Sequence, residues 1–277
     1  MIALLGEIIL VNLMATEKIT TTEQWDDVWK DIYLPQIIKK KWRLYCLRVI
    51  DSVFRAYLPK DPNFEFLELG CTPGGWLHYF NTEFGYKVSG LDNASQGIEI
   101  TRKNLDMLGV RGDLYFGDAL NYTFDRQFDV VYSAGLVEHF NPPGDILGRH
   151  VKLLSDKGYV VVSVPNLFSP FYKTLQGVIG KEWLKRHIKI LPSDLRLFAQ
   201  KSGLNILYCG YVGVFNLCMI NLLGKNLAWW LVINFTQRVL IDPILRFFSI
   251  TKESSFFSPH VLLIAVKSKD QDALNRK

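Results

Sequence analysis

Signatures of metal binding and of disulfide bonding are lacking in this chain of 277 residues. None of its four cysteines belongs to a CxxC pair or has a histidine at metal-ligand spacing; they are Cys46, Cys71, Cys209 and Cys218. This usage predicts neither a metal site nor a disulfide framework, and it is typical of a reducing cytoplasm. Hydrophobic residues make up 49% of the chain, which is ample for a large core and argues against disorder.

A strong charge of either sign is also lacking, since the formal net charge is only +5. The basic residues concentrate at 39–43 and 181–189. Two solvated helix faces would account for both clusters. An anionic substrate, a lipid surface or a nucleic acid is the alternative partner that such clusters indicate.

A clear targeting or membrane-spanning segment is lacking as well. Residues 1–20 form an apolar leader, but it has no basic start and Glu7 interrupts it, so neither a signal peptide nor a span is predicted. Met14 is an alternative start, because the sequence becomes polar directly after it.

A second apolar segment, at 213–255, is dense in leucine, isoleucine and aromatic residues. It is too interrupted by polar residues to be predicted as a span. In its second half a polar residue recurs every fourth position, at Asn234, Arg238, Asp242 and Arg246, which predicts an amphipathic helix despite Pro243. The segment is either a lid helix packed on the rest of the fold or a surface for a membrane or an apolar substrate.

Short β-rich runs alternate with helical runs through the middle of the chain. The β-rich runs lie at 64–70, 87–92, 112–118, 128–135 and 158–165, and two more follow at 205–212 and 259–267. Helices are predicted at 74–84, 95–108, 144–154 and 192–203, the last with Ser193 as its N-cap. This alternation predicts an α/β fold with a parallel, doubly wound sheet.

The pattern also predicts how the chain is organised. N-terminal helices occupy 21–60, where Trp25 and Trp29 are four residues apart. The central domain comprises 61–212 together with 256–268, the apolar insertion is 213–255 and the tail is 269–277. Within the domain, residues 166–192 are rich in aromatic and basic side chains and are predicted to form a substrate cap, with Phe168, Phe171, Tyr172 and Trp183 as candidate lining residues.

The most informative stretch runs from Phe64 to Asp92. It joins a strand, the turn GCTPGG, a helix and a second strand that ends in a carboxylate. The turn matches neither GxGxxG nor GxxxxGK[ST], and it has no lysine for a phosphate. Together with Glu68 before the turn and Asp118 after the third strand, Asp92 suits a ligand that carries an amino acid, a ribose and an adenine but no phosphate.

Residues 64–166 resemble the core of the class I S-adenosylmethionine-dependent methyltransferases, because the turn, Asp92, Asp118 and the end of the fourth strand occur in that family's order. The resemblance implies a Rossmann-like sheet of seven strands, mostly parallel with an antiparallel last strand, and S-adenosylmethionine as cofactor. It implies that Asp92 binds the ribose and Asp118 the adenine. The implied cofactor-binding residues are Glu68, Gly70, Cys71, Thr72, Gly74, Asp92, Asn93, Asp118, Ala119, Ser133, Ala134 and Gly135.

One residue departs from the family's commoner turn, GxGxG. Thr72 stands where the middle glycine would be, and it adds a side chain where the backbone approaches the ligand. A cofactor-binding protein without catalysis is therefore one alternative.

The fourth-strand motif FDVVYSAGLVEHF contains S-x-G-x-x-E-H, which is similar to small-molecule methyltransferases related to those of ubiquinone biosynthesis. The segment HIKILPSDL, at 187–195, is similar to that group's H-x-h-x-h-[ST]-P-x-x-L with proline and serine reversed. The resemblance implies substrate-facing residues here, and the candidate bases are Glu138, His139 and His187. Local packing or loop shaping is the alternative role for each.

The turn LELGCTPGGW also resembles that of RNA ribose 2′-O-methyltransferases, which use a Lys-Asp-Lys-Glu set. Ser133 and Ser163 stand where the aspartate and a lysine of that set are expected. The sequence thus favours a methyltransferase for a small-molecule or lipid-linked acceptor, with an RNA methyltransferase as an alternative. The expected setting is the cytoplasm, without metal or nucleic acid, and with peripheral membrane contact through 213–255 as a further possibility.

Overall fold

The protein is described by a computed structural model that covers residues 16–30, 32–38, 45–179, 181–219 and 227–267. Most of the predicted leader, the basic cluster at 39–43 and the tail at 269–277 lie outside the described residues.

Nine strands are present in the described part of the chain. They are β1 (Glu17–Lys18), β2 (Glu65–Leu69), β3 (Lys87–Asp92), β4 (Gly112–Phe116), β5 (Phe128–Ala134), β6 (Phe140–Asn141), β7 (Leu154–Pro165), β8 (Leu204–Val212) and β9 (His260–Lys267). Seven of them form one sheet in the order β4-β3-β2-β5-β7-β9-β8, and β1 pairs with β6 in a separate ribbon. The last strand, β9, runs antiparallel to both β7 and β8, whereas the other pairings in the large sheet are parallel. The predicted fold class is confirmed.

Ten α-helices accompany these strands within the described residues. They are α1 (Thr22–Trp29), α2 (Tyr45–Tyr57), α3 (Gly75–Phe84), α4 (Ser95–Leu108), α5 (Gly144–Lys152), α6 (Pro170–Ile179), α7 (Lys181–Leu184), α8 (Pro192–Lys201), α9 (Leu227–Phe235) and α10 (Asp242–Phe247). A 3₁₀ turn occupies Val137–His139, another occupies Leu217–Met219, and a π-helical turn, Thr236–Ile241, joins α9 to α10.

Helices cover both faces of the sheet, and this arrangement explains its apolar strands. Successive side chains of a strand point to opposite faces. In β2, Phe66 belongs to the core on one face, with Phe54 and Phe80, while Leu67 belongs to the core on the other, with Leu195. A parallel strand buried on both faces must be apolar at consecutive positions, as β5 and β7 are.

Three local predictions differ from the structure. Residues 32–38, within the predicted N-terminal helices at 21–60, are not helical, and α2 is described from Tyr45. Ser193 is not the N-cap of α8. Leu191 is the N-cap, because Pro192 can take the first helical position without needing an N–H partner, and the Asp194 carboxylate accepts the Leu191 N–H at 2.8 Å. The helix predicted at 144–154, α5, ends at Lys152, and β7 begins at Leu154 rather than at 158.

The apolar insertion between β8 and β9 packs one side against α2. Leu245 joins the core, and the Asp242 carboxylate accepts the Tyr45 N–H at 3.1 Å. Pro243 is tolerated because it lies in the first turn of α10, where its missing N–H has no intrahelical partner. Within the described ranges, no helix combines the length and the apolar character needed to cross a bilayer.

A buried histidine couples α5 to β5. His150 donates from Nδ1 to the Ile146 carbonyl at 2.8 Å, and its Nε2 lies 2.9 Å from the Ser133 hydroxyl, which therefore donates to it. Burial lowers the pKa of His150 from 6.5 to about 4. The imidazole is accordingly neutral in the folded protein at neutral pH.

Replacing this histidine is expected to flatten the pH dependence of stability. Below pH 6.5 the unfolded chain protonates His150 while the folded chain does not, so the native state loses stability as the pH falls toward 4. In His150→Gln the drop in the free energy of unfolding from about pH 7.5 to about pH 5 should be smaller by about 2 kcal/mol. Urea unfolding at both pH values measures it, and an equal drop in both proteins would contradict the burial of a neutral imidazole.

Candidate active site

A cavity of about 570 Å³ lies at the carboxyl ends of the parallel strands. The chain crosses there from β4, on one side of β2, to β5 on the other, and such a crossing leaves a crevice in doubly wound sheets. The cavity is lined by most of the predicted site residues: Gly70, Thr72, Asp92, Asn93, Asp118, Ala119, Ala134, Gly135, Glu138, His139 and His187.

The glycine turn after β2 forms one wall of this cavity. The N–H groups of Gly70 and Cys71 both donate to the Leu91 carbonyl, at 2.8 and 3.2 Å. Gly70 has a φ of +73°, a conformation that favours glycine, and a Cβ there would lie 3.3 Å from Leu136. The bare backbone of Gly70 is therefore what faces the cavity.

Thr72 is accommodated by a glycine on the next helix. A Cβ added at Gly97, in the first turn of α4, would lie 2.4 Å from the Thr72 hydroxyl oxygen. The Thr72 side chain thus occupies space that only a glycine at position 97 leaves open. Gly97 therefore provides the room for the threonine that stands in place of the middle glycine of GxGxG.

The Asp92 carboxylate holds two loops together at the end of β3. Its Oδ2 accepts the Thr72 N–H at 3.1 Å, and its Oδ1 accepts the Ala94 N–H at 3.0 Å. Burial raises the pKa of Asp92, and these backbone donors oppose that rise. Because a carboxylate has about four lone-pair sites, Asp92 retains acceptor capacity toward the cavity.

Two histidines and a glutamate form another part of the cavity lining. The His139 and His187 rings lie 4.5 Å apart, and each Nδ1 donates to a backbone carbonyl at 2.7 Å, of Arg186 and Trp183 respectively. This fixes the tautomer that leaves each Nε2 as an acceptor. The Ile188 N–H donates to the Glu138 carbonyl at 2.8 Å and ties the two segments together.

All three side chains are uncharged at neutral pH. Burial, with the neighbouring His187, lowers the pKa of His139 to about 3, and burial lowers that of His187 to about 4. Burial raises the pKa of Glu138 to about 8, and neither of its carboxyl oxygens has a hydrogen-bond partner within the described part of the chain. Both imidazoles are therefore able to accept a proton.

The same three residues could hold a metal ion, since one ligand atom of each lies within 4.8 Å of the others. The sequence did not indicate this cluster, because His187 is 48 positions beyond His139 and reaches it only through the fold. The expectation of a metal-free site stays a prediction.

Comparisons with known proteins bear on what this cavity binds. Residues 66–158 match the family described as a methyltransferase domain, and they contain the turn, Asp92, Asp118 and the Glu138-His139 pair.

These residues form a class I S-adenosylmethionine-dependent methyltransferase domain.

A ubiquinone biosynthesis O-methyltransferase of Pelagibacter ubique is 25% identical over 146 residues, which are 51% of this chain and 58% of that protein. The match thus spans less than two thirds of that relative. A Bacillus halodurans protein described as a methyltransferase has a TM-score of 0.55 at 16% identity, covering 79% of this chain and 99% of that one. The geranyl diphosphate C-methyltransferase of Streptomyces coelicolor, solved with S-adenosylhomocysteine, has a TM-score of 0.55 at 14% identity and covers 89% and 98%. The predicted family and its cofactor, S-adenosylmethionine, are confirmed.

The residues of the methyltransferase domain fit this cofactor. Asp92 presents free acceptor capacity beside Asn93, as the ribose hydroxyls require, and the bare Gly70 backbone leaves room for the methionine part. The wall beside the turn has no cluster of cations for a phosphate, because Lys18 is the sole cation among the described lining residues. These residues would hold a ligand with a ribose and without phosphate.

Four of the predicted cofactor-binding residues do not line the cavity among the described contacts: Glu68, Cys71, Gly74 and Ser133. Ser133 donates to His150, on the face of the sheet that α5 covers. Cys71 packs beneath β3, where a Cβ at Gly90 would lie 2.7 Å from its sulfur. Gly74, with a φ of +87°, begins α3. Cys71 and Gly74 thus belong to the turn without lining the cavity. Direct cofactor contact by any of the four residues stays a prediction.

Glu68 is buried directly behind the turn. Burial, together with the charge of Asp92, holds its pKa well above the ordinary value, and its Oε2 has no hydrogen-bond partner in the described part of the chain. An orphaned buried carboxyl oxygen is uncommon and costly, so it marks a place where a bound donor would be stabilising.

The N-terminal segment contributes residues that the sequence did not single out. Lys18, in β1, lies 2.8 Å from the Asp118 carboxylate. Although burial of Asp118 favours its neutral form, the hydrogen bond from Lys18 holds its pKa below the ordinary value. The predicted adenine partner is therefore already engaged, and no sequence pattern indicates this contact.

Aromatic rings close the cavity over the histidines. Trp25 meets His139 edge-on at 4.9 Å and Trp183 at 6.5 Å. The spacing of Trp25 and Trp29 was the available signal for this contact. Tyr172, predicted for the cap, is instead a core residue whose hydroxyl donates to the Phe257 carbonyl and accepts the Asn216 N–H. The hydroxyl of a buried tyrosine needs such partners, which explains its inward position.

The pairing of Thr72 with Gly97 predicts a non-additive effect on stability. Gly97→Ala should lower the free energy of unfolding by about 1–3 kcal/mol, because the new Cβ overlaps the Thr72 hydroxyl. In a Thr72→Ala background the same change should be nearly neutral, since alanine is otherwise favoured in a helix. Chemical unfolding of the two single variants and the double variant measures the coupling. Additive losses would show that Thr72 is accommodated elsewhere.

Proposed function

We propose that this protein transfers a methyl group from S-adenosylmethionine to a small-molecule or lipid-linked acceptor by in-line displacement. The single observation that carries the proposal is the chemistry of the cavity lining outside the glycine turn. Neutral imidazoles and aromatic or apolar side chains meet there, including His139, Trp25, Leu167 and Met219. Such a wall suits an uncharged, largely apolar acceptor.

The lining supports a small acceptor over RNA. Lys18, its sole described cation, is already paired with Asp118. Recognition of a polynucleotide depends on neutralising phosphates with lysine and arginine. Ser133 and Ser163 are uncharged, so they do not supply the aspartate and the lysine that a Lys-Asp-Lys-Glu set requires. Ser133 is bonded to His150, and Ser163 is buried.

In this proposal the cofactor supplies an activated methyl group, and the chain aligns the acceptor and takes its proton. His139 is the proposed base. Its Nδ1–H is fixed on the Arg186 carbonyl, so the Nε2 lone pair can take a hydroxyl or amine proton as the new bond to carbon forms. His187, whose ring lies 4.5 Å from that of His139, is next in line for the proton, while Glu138 is already protonated at neutral pH and its Oε1 lies 3.8 Å from the His139 Nε2. A hydroxyl acceptor is favoured by the relatives that are named O-methyltransferases.

Cofactor binding tests the first part of the proposal. Isothermal titration of the full chain with S-adenosylmethionine and with S-adenosylhomocysteine should show binding of both. Asp92→Asn should weaken it by about 10- to 100-fold, the loss expected for a charge-assisted hydrogen bond. Asp113→Asn is the matched control, because Asp113 lies on β4 and pairs with Arg126 outside the cavity. Binding of neither ligand by the folded wild type would reject the enzyme proposal.

Turnover tests the assignment of the base. The acceptor is first found by incubating metabolite and lipid extracts with a labelled methyl donor and separating the products by mass spectrometry. His139→Ala should then lower kcat by about 100-fold and leave the affinity for S-adenosylmethionine within about twofold.

The pH profile gives a second readout of the same assignment. Because the pKa of His139 is about 3, the imidazole remains neutral as the pH falls, and wild-type turnover should not decline between pH 8 and about pH 5 through protonation of this group. An unchanged kcat in His139→Ala, with a true acceptor, would remove His139 from the mechanism. His187→Ala, assayed in parallel, shows whether the second imidazole takes that role.

A further inference from the structure

The helical part of the insertion, from 227 to 247, exposes an unusual number of large apolar side chains. Phe235 is 61% exposed and Phe247 is 83% exposed. Seven more are at least partly open to solvent: Leu231, Val232, Val239, Leu240, Ile244, Phe248 and Ile250. Most recur at steps of three to five along α9, the π-helical turn and α10, so they share one face of a nearly continuous helix.

The side of this segment that packs on the rest of the fold buries two polar residues, Gln237 and Asp242, beside Leu245. Gln237 donates to the Asp242 carboxylate at 2.7 Å and to the Phe215 carbonyl, while its own carbonyl accepts the Leu217 N–H. Asp242 also accepts the Tyr45 N–H. A surface helix of a soluble domain places its polar face outward. Here two polar side chains are buried, and large apolar side chains together with Arg238 form the outer face.

The charges beside the apolar face are cationic. Of the side chains described between 231 and 252, the only acidic one is the buried Asp242. Arg238 and Lys252 are exposed, and Arg246 is half-exposed above the Tyr45 ring. Glu253 follows, with its carboxylate bonded to the Tyr208 hydroxyl. An apolar stripe flanked by arginine and lysine complements a surface that is both apolar and anionic.

We propose that this face binds the surface of an anionic lipid bilayer, with the helical segment lying in the plane of the interface. The segment spans 21 residues, about 31 Å at 1.5 Å per residue, and its apolar side chains lie along the outer side. Because the apolar side chains cover only one side of the helical segment, the segment suits insertion to the depth of the headgroups rather than crossing of the bilayer.

This position would also deliver a substrate. Met219, in the 3₁₀ turn Leu217–Met219, lines the cavity together with Trp183. It lies eight positions before Leu227, where the helix proposed to face the membrane begins, so the insertion contributes both to the cavity wall and to the proposed membrane surface. This part of the inference rests on the proposed function and assigns the acceptor to the lipid-linked class.

Vesicle binding tests the proposal. The full-length protein is sedimented with vesicles of phosphatidylcholine and phosphatidylglycerol in about a two-to-one ratio, and with phosphatidylcholine alone. We expect binding to the mixed vesicles that weakens in high salt. The double variant Phe235→Asp with Phe247→Asp should bind at least about tenfold more weakly, because two exposed anchors become charged. Arg238→Gln should reduce binding to the anionic vesicles by about fivefold and leave binding to neutral ones unchanged.

Matched controls place the same chemical change elsewhere. Leu197, on α8, is 52% exposed and Met107, on α4, is 59% exposed. Leu197→Asp and Met107→Asp should leave vesicle binding unchanged. Absence of wild-type binding, or equal losses in these controls, would overturn the proposal. So would light scattering that shows a dimer dependent on Phe235 and Phe247 without vesicle binding, since a second copy would then cover the face.

Cofactor titration separates this inference from the proposed function. The double variant should keep the wild-type affinity for S-adenosylmethionine, which shows that its fold is intact. Vesicle binding by a wild type that binds no cofactor would reject the enzyme proposal while the membrane surface stands.

Discussion

The Asp92 carboxylate is the interaction on which the site depends. It accepts the Thr72 N–H from the turn after β2 and the Ala94 N–H from the start of α4, so it joins the two loops that form one wall of the cavity. Directly beneath it, the Leu91 carbonyl accepts two N–H groups of the same turn. These bonds hold the backbone of Gly70 open toward the cavity. A carboxylate that both organises the turn and lines the cavity ties the shape of this wall to the geometry of the two loops.

The rest of the cavity lining comes from segments that are distant from the glycine turn in the sequence. The 3₁₀ turn after β5 supplies His139, the segment after α7 supplies His187, and the N-terminal β1 and α1 supply Lys18 and Trp25. The short β1–β6 ribbon fixes the N-terminal segment across the site. The insertion reaches the same cavity through Met219. Residues 66–158, which match the methyltransferase domain, thus supply the glycine turn and His139, and segments outside that match supply Lys18, Trp25, His187 and Met219.

The wall of the cavity formed by the glycine turn and Asp92 could be predicted because its sequence signals are local. A glycine turn between a strand and a helix, followed by a carboxylate at the next strand end, constrains the backbone over fewer than thirty residues. The sequence does not decide which face of the sheet a strand side chain takes. Ser133 was predicted to bind the cofactor, and alternation along β5 directs its hydroxyl to His150 on α5. The first residues of α8 were misassigned because Pro192 can begin a helix as well as precede one.

The sequence by itself determined the order of strands and helices, the phosphate-free turn and the family, because each follows from periodicity or from residues close together in the chain. The tertiary structure decided three further matters. It matched Thr72 to Gly97, it brought the His187 ring to 4.5 Å from that of His139, and it buried Gln237 and Asp242 of the insertion while leaving large apolar side chains exposed. Each depends on contacts between residues at least 25 positions apart or on which helix face meets the core, and chain spacing does not encode either.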